Sequence, residues 1–158
     1  MFHDFTRHAL VAGLLAGVIL TGCGNQGAER GTEAGWTREC PGDAFCFKRP
    51  ASLVSQPVQI IDSLAALYRS DVLTLRFDMG QYGTSVDHLV NPVEEAATVD
   101  SRPARVLFTA REVVLLVPQV HGGGRAKVQF AMQLESERGV DRALARKIFQ
   151  SIEFKPPR

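Results

Sequence analysis

Apolar and polar positions alternate with a period of two along several stretches of the chain, the pattern of half-buried β-strands. Between Val72 and Met79, Leu73, Leu75 and Phe77 fall on one side while Thr74, Arg76 and Asp78 fall on the other. Leu64 to Arg69 precedes this run across Ser70-Asp71, so the two stretches predict a hairpin. From Arg125 to Leu134 the alternation is cleaner. Ala126, Val128, Phe130, Met132 and Leu134 form an apolar face, and Arg125, Lys127, Gln129 and Gln133 a polar one. His121-Gly122-Gly123-Gly124 just before it reads as the loop of another hairpin, because glycine takes positive φ at no steric cost. Val113 to Val117 is five apolar residues in a row, which predicts a strand covered on both faces. Arg105 to Ala110 is its natural neighbour, and Phe45 to Arg49 opens the series of strands.

The period changes near the C-terminus. From Gly139 to Ile152, Val140, Leu144, Ile148 and Ile152 share a stripe, with Asp141, Arg142, Arg146 and Gln150 opposite. That is an amphipathic helix able to cover one sheet face. For the other face the candidate is a short helix around Glu94, within Gly83 to Ala97 and interrupted by Asn91-Pro92. The expected fold is α+β: a single antiparallel sheet with a C-terminal helix packed on one face and that second short helix on the other.

The first residues obey a different logic. After a short polar segment carrying Arg7, Ala9 to Leu20 is an uncharged apolar run of 12 residues. Spanning a bilayer takes about 20, so the run is too short for a transmembrane helix and fits the apolar core of a signal peptide. It ends in Leu20-Thr21-Gly22-Cys23, which resembles the lipobox of bacterial lipoproteins. The resemblance implies thioether attachment of diacylglycerol to Cys23, cleavage just before it and acylation of the new amino group. Each buried methylene contributes about 0.8 kcal/mol, so two or three acyl chains hold a protein on a membrane where one does not. Gly24 stands where an aspartate would mark inner-membrane retention, so the resemblance further implies an outer-membrane anchor facing the periplasm of a Gram-negative host. The expected division is a signal peptide over 1–22, a lipidated N-terminus and tether over 23–39, a globular domain over 40–154 and a tail over 155–158. Gly24 to Glu39 is rich in Gly, Thr and Glu, as a flexible tether is, and its one notable apolar residue, Trp36, is expected to dock on the domain.

Removing the first 22 of the 158 residues leaves 136, with Cys40 and Cys46 as the two thiols besides Cys23. An even pair in an exported chain reads as a disulfide, with free thiols as the alternative. Closing so short a loop contributes about 2–2.5 kcal/mol on chain entropy. The intervening Pro41-Gly42-Asp43-Ala44-Phe45 is too long for a Cys-x-x-Cys redox motif. A zinc site would have to recruit the distant His88 and His121, and the spacing argues against it.

Composition removes other classes. The chain is 45% hydrophobic and 22% charged, with 18 basic against 17 acidic residues and a net charge of +1. A chain so nearly neutral carries no strong basic stripe for nucleic acid. The order of elements, ending in helix and then Ser151-Ile152-Glu153-Phe154, is similar to that of the PsbP-like folds over about the last hundred residues. Ile61-Asp62-Ser63 followed by Leu75 to Tyr82, with Asp78, Gly80 and Tyr82 as an Asp-x-Gly-x-Tyr pattern, resembles a motif of small exported bacterial proteins without assigned activity. Neither resemblance carries a catalytic residue.

Candidate chemistry concentrates between Asp78 and His88, where Asp78, Tyr82, Asp87, His88, Thr84 and Ser85 fall within 11 residues. As a hydrolase, Asp78 or Asp87 would orient His88 as general base. No Gly-x-Ser-x-Gly elbow accompanies them, and as turn and strand-end residues they need no chemistry at all. His121 and its glycines precede a strand, not the helix a phosphate loop requires, and no cofactor is expected. Arg76, Arg125, Lys127, Gln129 and Gln133 form a polar sheet face that could hold a carboxylate, a glycan or a partner protein, or simply be solvated. The expected function is therefore a lipid-anchored, non-enzymatic binding module with an envelope protein or glycan as partner. An envelope hydrolase using the Asp78–His88 loop, or a small-ligand carrier with a pocket between sheet and helix, are the alternatives.

Overall fold

The computed structural model describes residues 34–120 and 127–156. Cys23, Arg125, His121 and Gly122 to Gly124 lie outside the described residues, and with them the lipidation site and the glycine loop.

The strands in chain order are β1 (Trp36–Glu39), β2 (Phe45–Pro50), β3 (Val54–Gln56), β4 (Leu64–Arg69), β5 (Thr74–Gly80), β6 (Val93–Val99), β7 (Arg102–Phe108), β8 (Glu112–Val117), β9 (Gln129–Glu135) and β10 (Glu153–Phe154), with helix α1 (Arg142–Gln150) before the last. They form two antiparallel sheets: a large one ordered β3-β4-β5-β9-β8-β7-β6 and a small one ordered β1-β2-β10. The single sheet expected from periodicity is thus corrected to two. The reason is β2, whose alternation puts Phe45 and Phe47 into the core while its backbone pairs with β1 and β10 instead of with the large sheet.

The core lies between the inner face of the large sheet and a layer made of α1 and the small sheet. Leu75, Phe77, Phe130, Met132, Leu134, Val113 and Leu115 from the strands meet Ala145, Ile148 and Phe149 from the helix and Phe45 and Phe47 from β2. Phe45 is the hub: its ring centroid lies 5.0 Å from Phe77 and 4.9 Å from Phe130, both edge-on, and 6.0 Å from Phe154. Helix α1 begins where Asp141 accepts a hydrogen bond from the Ala143 N–H at 2.8 Å, capping an otherwise unpaired donor.

Two elements depart from expectation. No helix forms around Glu94; Val93–Val99 is the edge strand β6, paired along its length with β7. The hairpin between them turns on Asp100 and Ser101, both at positive φ (47° and 64°), the geometry a two-residue turn needs to match strand twist. Asp100 is held there because its carboxylate accepts from Arg102 at 2.5 Å and from the Phe154 N–H at 3.0 Å. The folded chain also begins before residue 40, since β1 pairs with β2 and half-buried Trp36 stacks under the Lys147 ammonium at 4.3 Å. Cys40 and Cys46 are joined by a disulfide that ties β1 to β2.

Candidate functional site

Alternation along the strands determines what the outer face of the large sheet presents. The register sets Gln56, Leu67, Arg76, Gln133, Val114, Leu107 and Glu94 side by side across all seven strands. Beside that row runs Ala65, Asp78, Ala131, Leu116, Arg105 and Ala96, and on its other side Val54, Arg69, Thr74, Glu135 and Glu112. A face of this composition must be partly covered, because Val114, Leu107 and Ala131 are apolar and buried. The cover is the irregular segment 81–92 between β5 and β6, not the helix expected there. Its Gly83, Thr84 and Val86 line a small cleft with Arg105, Leu116 and Ala131 of the sheet. Gly83 has φ +64°, and a Cβ at that position would stand 2.7 Å from the Gln129 amide oxygen, so glycine permits the close approach of this strap.

Over β4, β5 and the start of the strap the face is open, and an open groove of about 520 Å³ lies there. Its floor is short and apolar (Ala65, Leu67, Ala131); Gln59, Thr74, Thr84, Arg69, Arg76, Asp78, Gln133 and Glu135 supply the polar lining. Arg76 and Gln133 of its lining start a chain of hydrogen bonds that leads out of the groove to Glu112. Arg76 Nε donates to the amide oxygen of Gln133, and the Gln133 amide nitrogen donates to Glu112. His88 Nε2 lies 3.0 Å from the same Glu112 oxygen. Gln133 is only 5% exposed, so its amide is fixed by these two partners and in turn fixes the Arg76 guanidinium.

The structure divides the sequence-derived candidates. Arg76 and Gln133 meet in the groove, whereas Gln129 donates at 3.4 Å to the Gln81 carbonyl and helps hold the strap. Lys127 is exposed and precedes β9. The catalytic constellation imagined between Asp78 and His88 does not assemble. Asp78 accepts from the Ser63 hydroxyl at 2.9 Å, Asp87 from the Ser85 hydroxyl at 2.9 Å, and His88 turns to Glu112 instead. Ser85 is committed to Asp87, and Tyr82 lies 84% exposed at the strap's start. Sequence reasoning missed Glu112, because its role depends on register and on a strap 24 residues away. A small-ligand carrier, the other alternative, would need a pocket beneath α1, but there Ala145, Ile148 and Phe149 pack into the core, and the Phe45, Phe47, Phe77, Phe130 and Phe154 rings fill the space between the two sheets.

The Tyr68 phenol lies away from the groove. Burial raises the pKa of the Tyr68 phenol above its ordinary value, the Glu39 carboxylate adds to the rise, and Arg49 opposes it with its guanidinium carbon 4.7 Å from the ring centre.

Compared with protein-family models, with curated proteins and with solved structures, the chain matches none. No helix among the described residues is long and apolar enough to cross a membrane.

Proposed function

We propose that the protein is a lipid-anchored, non-enzymatic binding module of the bacterial cell envelope, tethered through Cys23 to the periplasmic face of the outer membrane. The Leu20-Thr21-Gly22-Cys23 sequence supports the anchor, and the disulfide between Cys40 and Cys46 suits an oxidising compartment. The observation that carries the binding role is the open groove on the outer sheet face, lined by an arginine whose orientation is fixed by Gln133. Polar groups that converge in a concave surface on a rigid sheet are how binding sites are built. The hydrolytic alternative draws no support from the loop that suggested it, since neither Asp78 nor Asp87 orients His88.

Photo-crosslinking in intact cells tests this reading. A photoreactive residue replacing Thr74, in the groove, should give a discrete adduct that depends on Arg76. The same residue replacing exposed Gln150, at the end of α1, should not. Identical adduct patterns from both positions, or none from Thr74, would remove the groove from the function.

A further inference from the structure

The geometry points to Arg76 as the receptor for a peptide's C-terminal carboxylate, with the groove accepting a short segment of small side chains that leads up to it. This deepens the binding role proposed above and rests on it. Arg76 spends its Nε on Gln133, and its two terminal nitrogens have neither a hydrogen-bond nor an ion-pair partner among the described residues. A guanidinium held by one nitrogen and open at the others presents a planar fork, which matches the two oxygens of a carboxylate. Arg69, diagonal to Arg76 across β4 and β5, lines the same groove and adds positive charge to it.

The remaining lining selects among anions. Asp78, two residues along β5, and Glu135, diagonal on β9, flank Arg76 and repel a ligand of more than one negative charge. A single carboxylate is therefore preferred to a phosphate. Beside the arginine the floor of Ala65, Leu67 and Ala131 is apolar and low, which leaves room for methyl-sized side chains; Phe77, the one aromatic residue of the lining, is buried with its ring packed against Phe45 and Phe130 in the core, so no sugar ring can stack on it. Gln59, Thr74 and Thr84 supply amide and hydroxyl groups at the walls, able to pair with the amides of a peptide backbone. The groove volume of about 520 Å³ suits a few residues and no more.

Isotope-labelled full-length protein in detergent micelles, titrated with N-acetyl-alanyl-alanine, tests the inference by NMR. The free-acid dipeptide should shift the Arg76 Nε–H and Gln133 side-chain amide signals saturably. Its C-terminal amide should bind about tenfold more weakly or worse, and Arg76→Gln should weaken the acid by about tenfold to a hundredfold. Arg76→Lys, which keeps the charge and loses the fork, should fall between. Arg76 is exposed, so unchanged signals from core residues such as Phe45 and Leu115 will show that both variants fold. Equal binding of acid and amide, an acid response that survives Arg76→Gln, or tighter binding of inorganic phosphate would each overturn the inference. If the dipeptide fails while the Thr74 crosslink still captures a partner through Arg76, the carboxylate assignment falls and the groove's binding role stands. If both fail, both fall.

Discussion

Replacing Phe45 by alanine tests how the two sheets are held together. Phe45 is fully buried, and its ring touches Phe47 of its own strand, Phe77 and Phe130 of the large sheet and Phe154 of β10. Truncation removes the transfer free energy of a whole ring and leaves a cavity whose walls belong to different layers, so collapse is poor; the cost should be about 3–5 kcal/mol. Edge-on ring pairs add about 0.5–1.5 kcal/mol beyond area, and the variant loses the pairs with Phe77 and Phe130 together, which places it at the upper end of that range. For a domain of this size the loss corresponds to a fall in Tm of about 10–20 °C. Urea unfolding followed by fluorescence and circular dichroism should show a lower midpoint at unchanged slope. Phe45→Leu, which keeps most of the volume and loses the ring edges, should cost about 1–2 kcal/mol. If Phe45→Ala costs less than about 1 kcal/mol, the ring does not join the sheets and the core is assembled differently.

Three further outcomes are expected. Reducing the Cys40–Cys46 bridge, or replacing both cysteines by serine, should cost about 2–2.5 kcal/mol in urea unfolding, and no loss would mean that the bridge does not restrict the unfolded chain as the entropy argument requires. Tyr68 binds its proton more tightly folded than unfolded. Its contribution is therefore intact below the ordinary tyrosine pKa of about 10 and is lost as pH rises through the higher folded value. In a Tyr82→Phe background, where Tyr68 is the remaining tyrosine, the phenolate absorbance should appear above the ordinary range, and unfolding should become easier over the same window. Ser101→Gly should stabilise by about 0.5–1 kcal/mol, because serine at φ 64° is strained and glycine is not; a loss of stability would show that the Ser101 side chain contributes more to the turn than its strain costs.

Much of the fold is visible in local period. The alternation around Leu75 and around Phe130, the apolar block Val113 to Val117 and the stripe of α1 each report a face that must be buried, and the structure buries them. What local period misses is choice of partner. β2 leaves the large sheet to pair with β10, which lies about a hundred residues away, and no window of a few residues records that. Glu94, Glu95, Ala96 and Ala97 favour helices, so local propensity points away from the strand that β6 forms, whose strand character comes from pairing with β7 across a turn that lacks the usual glycine. β1 escaped because Trp36-Thr37-Arg38-Glu39 has no apolar stripe; it is held by backbone pairing and by Trp36. The site was half legible. Arg76 and Gln133 fall on one face by alternation alone, whereas their link to Glu112 and His88 needs the register of three strands and the path of the strap.

The proposed envelope role requires delivery to a membrane surface through a lipidated Cys23. Intact mass and N-terminal peptide analysis of the protein taken from the envelope fraction measure this most directly. The expected species is a 136-residue chain beginning at Cys23, carrying a diacylglyceryl thioether and an acylated amino group, and shifted to the soluble fraction by Cys23→Ser. A chain that retains residues 1–22 with an unmodified Cys23, recovered from the cytosol, would contradict it.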